Sequence, residues 1–222
     1  MKNKKLLIVL SLLSLLLLPL VEGVSSAGAP ETPDISDMLS RLGEKVSQFK
    51  TLKTDFVQEK KLAIFKKKVI MKGRIYLKKP NTIAWHVDIP VKYSVLITDK
   101  VIRQWDEDTD QVQEIPISKN PVFKIVLTQL TTWFSGNYGS LLDDYTVKVL
   151  QQRPYIFEFI PNEKNFSRKI VKSVTITFRE DEKYLQQIKI LEMSGDSTTI
   201  NFEHTVIDVP IDERFFKVGH RV

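Results

Sequence analysis

What most constrains this chain is a two-residue alternation that recurs along most of its length. Val69, Met71, Ile75 and Leu77 alternate with Ile70, Lys72, Arg74, Tyr76 and Lys78. Ile83, Trp85, Val87 and Ile89 alternate with Thr82, Ala84, His86 and Asp88, and Val91, Tyr93, Val95 and Ile97 follow in the same way. Successive side chains of a strand point to opposite faces, so each segment reads as a strand with one face buried. The breaks at Lys79-Pro80-Asn81, Ile89-Pro90 and Asp99-Lys100 are short, which makes neighbouring strands antiparallel. Val101 to Trp105 makes a further strand, and an acidic turn from Asp106 to Asp110 leads to Val112 and Ile115. After a break the alternation returns at 145–150, 155–160, 170–178, 185–193 and 198–204. This spacing predicts a mainly β, α+β chain built on one large antiparallel sheet, curled or closed into a barrel.

Two stretches carry helical periodicity instead. Ile35, Met38, Leu39, Leu42, Val46 and Phe49 fall within an arc of about 100° on a helical wheel. Thr32 or Asp34 can cap this helix, with Pro33 near its first turn, and Ser36, Asp37, Arg41, Glu44 and Lys45 form its polar face. A second helix starts at Asn120-Pro121 and runs to about Phe134. Its apolar members, Val122, Phe123, Ile125, Val126, Leu127, Leu130, Trp133 and Phe134, span an arc of about 200°. That width fits a plain buried core helix, or a helix over an unfilled apolar space. A short turn or helix follows at 140–144.

The N-terminus has the plan of a secretory signal peptide. Lys2, Lys4 and Lys5 precede an apolar run from Leu6 to Leu18, Pro19 breaks it, and small residues follow at Ser25, Ser26, Ala27 and Ala29. The run is shorter than the ~20 apolar residues of a membrane span. Residues 1–27 then form the cleaved segment, 28–33 a linker, and 34–222 a single domain placed in a bacterial periplasm. Cleavage removes three lysines and one glutamate, so the formal charge falls from +6 to +4. That excess is too small to point to nucleic acid.

Much chemistry is absent from the outset. The chain has no cysteine, which excludes disulfides, thiolate nucleophiles, cysteine zinc sites and an N-terminal lipidated cysteine. Only 3 histidines and 8 glycines occur, with no metal-ligand spacing, no phosphate-binding glycine loop and no serine-nucleophile motif. His86 and His204 read as surface or satisfied side chains. Asn165-Phe166-Ser167 fits a glycosylation acceptor, one that a bacterium leaves idle. No residue set reads as catalytic, metal-binding or cofactor-binding, so the chain is expected not to be an enzyme.

The charge distribution is uneven. Lys60, Lys61, Lys66, Lys67, Lys68, Lys72, Arg74, Lys78 and Lys79 come without an intervening acid. One reading is a solvated face that also protects an edge strand, since lysine blunts edge pairing. The other is attraction to anionic lipid or an acidic partner, at about 1 kcal/mol per basic residue.

Several stretches, taken in order, resemble the outer-membrane lipoprotein carrier family of LolA over about residues 34–218. Leu39-Ser40-Arg41-Leu42 through Phe49 and then Asp55-Phe56-Val57-Gln58 look like that family's first helix and the start of its first strand. Gly73-Arg74-Ile75-Tyr76-Leu77-Lys78-Lys79-Pro80-Asn81-Thr82-Ile83-Ala84-Trp85 is similar to its G-x-L-x-L-x-R-P-x-x-F-x-W. Ser94 to Lys100, Leu185-Gln186-Gln187-Ile188 and Thr198-Thr199-Ile200-Asn201-Phe202 match its later strands. The resemblance implies a half-open, incomplete antiparallel β-barrel with helices forming a lid over an apolar cavity. It implies a soluble, monomeric periplasmic carrier that shields lipoprotein acyl chains on the way to the outer membrane. An inner-membrane transporter would be the donor and a lipid-anchored outer-membrane protein the acceptor.

On that reading Ile83, Trp85, Val95, Ile97, Val126, Leu130 and Trp133 line the cavity. Lys79 stands where the family usually has an arginine associated with holding the lid closed, and it offers a point charge without the planar fork. Ile83 replaces an aromatic residue, and the family's Asp-Gly turn has become Asp99-Lys100. These departures keep two other functions open: a carrier for a glycolipid or another amphiphile, and a lipoprotein-sensing regulator.

Overall fold

The computed structural model describes residues 34–64, 68–117, 131–163 and 165–219. Residues 1–33, with the expected signal peptide and linker, lie outside the described residues, as do Lys66, Lys67, Val126, Leu130 and the start of the second helix.

Eleven strands form one antiparallel sheet: β1 (Thr51–Lys61), β2 (Lys68–Lys78), β3 (Thr82–Ile89), β4 (Tyr93–Ile97), β5 (Val101–Asp106), β6 (Gln111–Pro116), β7 (Tyr145–Gln152), β8 (Tyr155–Pro161), β9 (Val171–Phe178), β10 (Leu185–Glu192) and β11 (Ser197–Ile207). Their spatial order is β6-β5-β4-β3-β2-β1-β11-β10-β9-β8-β7. Strands β1 to β6 and β7 to β11 are therefore two meanders, joined at the centre by β1 against β11. The sheet does not close, so β6 and β7 are its edges, and the chain between these edges is residues 117–144.

One cross-strand row shows how the alternation builds an interior. Val149, Phe157, Ile176, Ile188, Ile200, Gln58 and Met71 are successive register partners from β7 across to β2. All but half-buried Val149 are buried. Side chains directly opposite one another are the units of sheet stabilisation, and here they join both meanders into one apolar face.

Helix α1 (Ile35–Ser47) lies on that face. The Asp34 side chain accepts from the Ser36 N–H and caps it, one of the two caps the sequence offers. Met38, Leu39, Leu42 and Val46 are buried as the periodicity predicts. Its polar side reaches the second meander: Lys45 pairs with Glu182 of the β9–β10 turn at 2.6 Å, and Arg41 donates to the Tyr155 hydroxyl of β8. Gly43 meets a turn at Gly136 so closely that a Cβ there would sit 2.1 Å from the Gly136 carbonyl oxygen. Residues 131–135 are helical, followed by a short 3-10 helix at Gly139–Leu141.

The outward phase departs from the alternation. Tyr76, Ala84 and Leu96 are buried although they share the side opposite the interior. The 3-10 helix Glu213–Phe216 covers them, with Phe215 stacked on Tyr76 at 4.5 Å and Phe216 in the same cluster. His86 is buried there too, its Nε2 at 2.7 Å from the Phe215 carbonyl, and burial lowers its pKa. It is thus satisfied rather than on the surface. His204 is exposed, 3.0 Å from Asp55. At the sheet end that carries the β1–β2 turn, the alternation overstates burial: Val69, Ile89 and Val91 are exposed. Asn165 is buried, its side chain accepting from the Ser167 N–H and donating to the Asp144 carbonyl, so it is a turn residue and not an open glycan acceptor.

The glycine contact fixes where α1 sits. Gly43→Ala drives a methyl into backbone, and overpacking of this kind costs about 1–3 kcal/mol. A fall in melting temperature of roughly 3–10 °C is expected for a chain of this size, and an unchanged melting temperature would contradict this docking.

Candidate functional site

The interior face of β3 and β4 brings together four of the residues expected to line a cavity. Ile83 is opposite Ile97, and Trp85 is opposite Val95. All four are buried, Trp85 and Val95 at 6% exposure. Trp85 meets Phe56 of β1 edge-on, with ring centroids 5.0 Å apart. Trp133 is also buried, but it belongs to the other half of the interior. It packs edge-on against Phe159 of β8 at 5.0 Å, and its carbonyl accepts from the Tyr138 hydroxyl.

The rest of the interior lay in the second meander. Phe157, Phe159, Ile176, Phe178, Ile188, Ile200 and Phe202 complete one continuous buried cluster with the β1–β4 face. Phe134 reaches it through Phe202, with centroids 5.9 Å apart. The period-two phase of β8 to β11 was the available signal, since all these strand residues share it. Gln58, Trp85 Nε1 and the Tyr93 hydroxyl are the buried polar points on this face without a partner among the described residues, and buried Thr54 and Thr198 share its phase.

Lys79 lies at the opposite end of the sheet from the β1–β2 turn. Its backbone N–H donates to the Lys50 carbonyl, which holds the β2–β3 turn against the end of α1. Its Nζ donates to the Val46 carbonyl at 2.6 Å and rests 3.6 Å from the centroid of Phe49. The last carbonyls of a helix lack intrahelical partners and carry partial negative charge, so a cation there is well placed. An ammonium over an aromatic face adds attraction. Among the described residues the Lys79 side chain thus engages α1 and Phe49, not the second helix. Burial lowers its pKa to about 8, and Asp208 pulls weakly the other way.

Four described members of the basic stretch lie beside three carboxylates. Lys60 pairs with Glu192 at 3.3 Å, and Lys61 and Lys68 share Glu59 at 3.2 and 3.1 Å. Arg74 lies 3.6 Å from Asp88, whereas Lys72 is exposed. Edge protection does not apply, because β1 and β2 are central in the strand order. Among the described residues, no group of three or more His, Asp and Glu side chains could hold a metal ion. No helix among them is long and apolar enough to cross a membrane.

A wide antiparallel sheet left open at two edges, with an aromatic and aliphatic inner face and a few helices, defines a protein of the incomplete β-barrel class. The family model described as outer membrane lipoprotein carrier protein LolA matches residues 47–219. The chain belongs to that family, which is one of carrier proteins rather than enzymes. An outer-membrane lipoprotein carrier protein of Coxiella burnetii (strain RSA 331 / Henzerling II) is 22% identical over 187 residues, covering 76% of this chain and 82% of the relative. The solved structure of MucB is similar with a TM-score of 0.52 and 14% identity, covering 86% of this chain and 65% of that one. An uncharacterized conserved protein from Thermus thermophilus matches with a TM-score of 0.50 and 8% identity, covering 82% of this chain and 91% of that one. At these identities the structural likenesses show the fold alone.

The Lys79 environment sets a pH dependence. A lysine with a folded pKa of about 8, below its ordinary 10.5, binds fewer protons in the folded than in the unfolded chain between those values. Stability then rises with pH across that window. Denaturation of the wild type and Lys79→Met at pH 7, 9 and 10.5 should show the wild type gaining on the variant above pH 8. A flat or falling difference would contradict this environment.

Proposed function

We propose that this chain is a soluble periplasmic carrier that shields the acyl chains of lipoproteins and delivers them to the outer membrane. The observation that supports this most is the single apolar face shared by all of β1 to β4 and β8 to β11 on a sheet that stays open. The signal-peptide plan of residues 1–27 and the family of the chain agree with it. An inner-membrane transporter is the donor in this scheme, a lipid-anchored outer-membrane protein the acceptor, and the carrier works as a monomer of one domain.

The energetics need no cofactor. Removing a methylene from water is worth about 0.8 kcal/mol, so a largely buried acyl chain has a gross value near 10 kcal/mol. The inner residues are buried in the free chain. A chain therefore enters as the pieces packed on this face, α1 and the helical residues 131–135, give way. Ile83, Trp85, Val95, Ile97 and Trp133 would then meet the cargo, with Val126 and Leu130 as further lining. Lys79 is the latch in this scheme: it ties the β2–β3 turn to the end of α1 through one hydrogen bond and one ring contact. An arginine would offer a planar fork there, so the lysine makes a lighter latch. Release to an equally apolar acceptor costs little.

A glycolipid or other amphiphile is the second cargo reading, motivated by Lys79 and the basic stretch. Lys79 is spent on Val46 and Phe49, and Lys60, Lys61, Lys68 and Arg74 are ion-paired. Lys79 is therefore turned to α1 rather than to a headgroup, while exposed Lys72 stays open to one.

Trp85→Glu places a carboxylate on the inner face of a central strand. The purified variant should lose binding of a fluorescent fatty acid at least tenfold while keeping its β-sheet circular dichroism, since burying an unpaired charge is strongly disfavoured. Normal binding by this variant would sink the inner-face assignment. A wild-type chain that binds no acyl probe would sink the carrier reading.

A further inference from the structure

Among the described residues, buried polar side chains are otherwise well satisfied. Thr54 Oγ1 bonds the Asp55 and Glu203 carbonyls and the Thr205 hydroxyl. His86 meets the Phe215 carbonyl, Ser94 accepts from the Gly219 N–H, and the Tyr138 hydroxyl donates to the Trp133 carbonyl. Four buried side-chain atoms have no partner among the described residues: Gln58 Nε2 and Oε1, Trp85 Nε1 and the Tyr93 hydroxyl. All four belong to one face of the sheet, between β1 and β4.

Their surroundings make the exception sharper. Gln58 is 1% exposed and stands in the apolar row between Ile200 and Met71. A leucine would fit this row without leaving an amide unpaired, and unpaired buried amides are among the costlier features of a core. Trp85 and Tyr93 are 6% and 8% exposed. Tyr93 is opposite Val87, two residues beyond Trp85 on β3, so the two side chains are diagonal neighbours. Phe56, two residues before Gln58 on the same face of β1, touches Trp85. The three side chains thus border one patch. With strands about 4.8 Å apart, it spans about 15 Å from β1 to β4.

The inventory of hydrogens defines what this patch accepts. The indole N–H only donates, the Gln58 amide carries two hydrogens, and the tyrosine hydroxyl donates one. Burial pushes the Tyr93 pKa up, which keeps that hydroxyl protonated. Only Gln58 Oε1 and the Tyr93 oxygen accept. A strip with more donors than acceptors, set in an apolar interior, matches carbonyl oxygens that sit at the head of hydrocarbon chains.

We propose that Gln58, Trp85 and Tyr93 form an internal carbonyl-binding strip that holds the ester or amide groups of acylated cargo, so that the interior selects acyl lipids over alkyl chains. This rests on the carrier reading and deepens it. Hydrocarbon alone is recognised by area and carries no direction. Donors inside the sheet would fix how far the chains enter and leave the polar head at a set depth. In the free chain, water can occupy these donors, and the cargo carbonyls would replace it.

The test compares two ligands that differ only at the carbonyls: 1,2-dioleoylglycerol, a diester, and 1,2-dioleylglycerol, its diether. Competition against a fluorescent fatty acid on the delipidated wild type should give about tenfold tighter binding of the diester, the factor expected for one or two net hydrogen bonds. In Gln58→Leu and in Tyr93→Phe that ratio should fall toward one. Gln58→Leu should also raise the melting temperature of the ligand-free protein, which separates lost recognition from lost folding. With 13C-labelled ester carbonyls, the infrared carbonyl band of bound diester should lie at lower frequency in the wild type than in either variant. Equal wild-type affinity for diester and diether would overturn the strip while leaving the carrier reading intact. A preference that survives both substitutions would overturn it as well. Failure of both ligands to bind would overturn the carrier reading and the strip together.

Discussion

The pairing of β1 with β11 decides the architecture. Each meander alone is a run of local hairpins. Only the register from Leu52↔Ile207 to Lys61↔Ser197 joins them, and it brings the first strand of the sheet against the last. That closure has high sequence separation and therefore a high entropic cost, which the row of apolar partners through Ile200 and Phe202 offsets. Once it forms, β6 and β7 are the free edges of the sheet. A twisted sheet of this width curls. The open, incomplete barrel follows from one pairing.

The strands and their antiparallel order were legible because period two is a local property. What covered each face was not. Tyr76, Ala84, His86 and Leu96 sit on the outward phase and read as solvent-facing, yet the C-terminal 3-10 helix buries them. Nothing in the alternation of β2 to β4 records that a segment more than one hundred residues later returns to that side. The near-continuous apolarity of Tyr93–Ile97 was the one available hint, since a strand buried on both faces loses its alternation. At the other extreme, Val69 continues the inward phase past the end of the covered region, and a bulge sets Ile89 opposite Lys72 of the outward phase.

The candidate site was half legible. Ile83, Trp85, Val95 and Ile97 follow from phase and pair as expected. Trp133 is interior but meets Phe159, across the sheet from them. Gln58 lay within a motif already singled out, and its place in an apolar row emerges only when the β1–β11 register is known. Lys79 was singled out as well, but its acceptor, a helix-terminal carbonyl, is a backbone group that no residue pattern encodes. The interior thus combines a continuous apolar face with a few buried polar points. In the proposed carrier the first would supply affinity in proportion to buried area and the second position.

That the inner face carries acyl chains is the central claim, and capture of the native cargo tests it most directly. A photo-crosslinking amino acid at position 85, on the interior side of β3, should yield adducts when the protein is isolated from its own periplasm and irradiated. Mass spectrometry should identify them as acylated N-terminal peptides from many lipoproteins. A single free lipid or glycolipid species would move the function to a dedicated lipid pathway. Adducts with no acyl group at all would contradict the account.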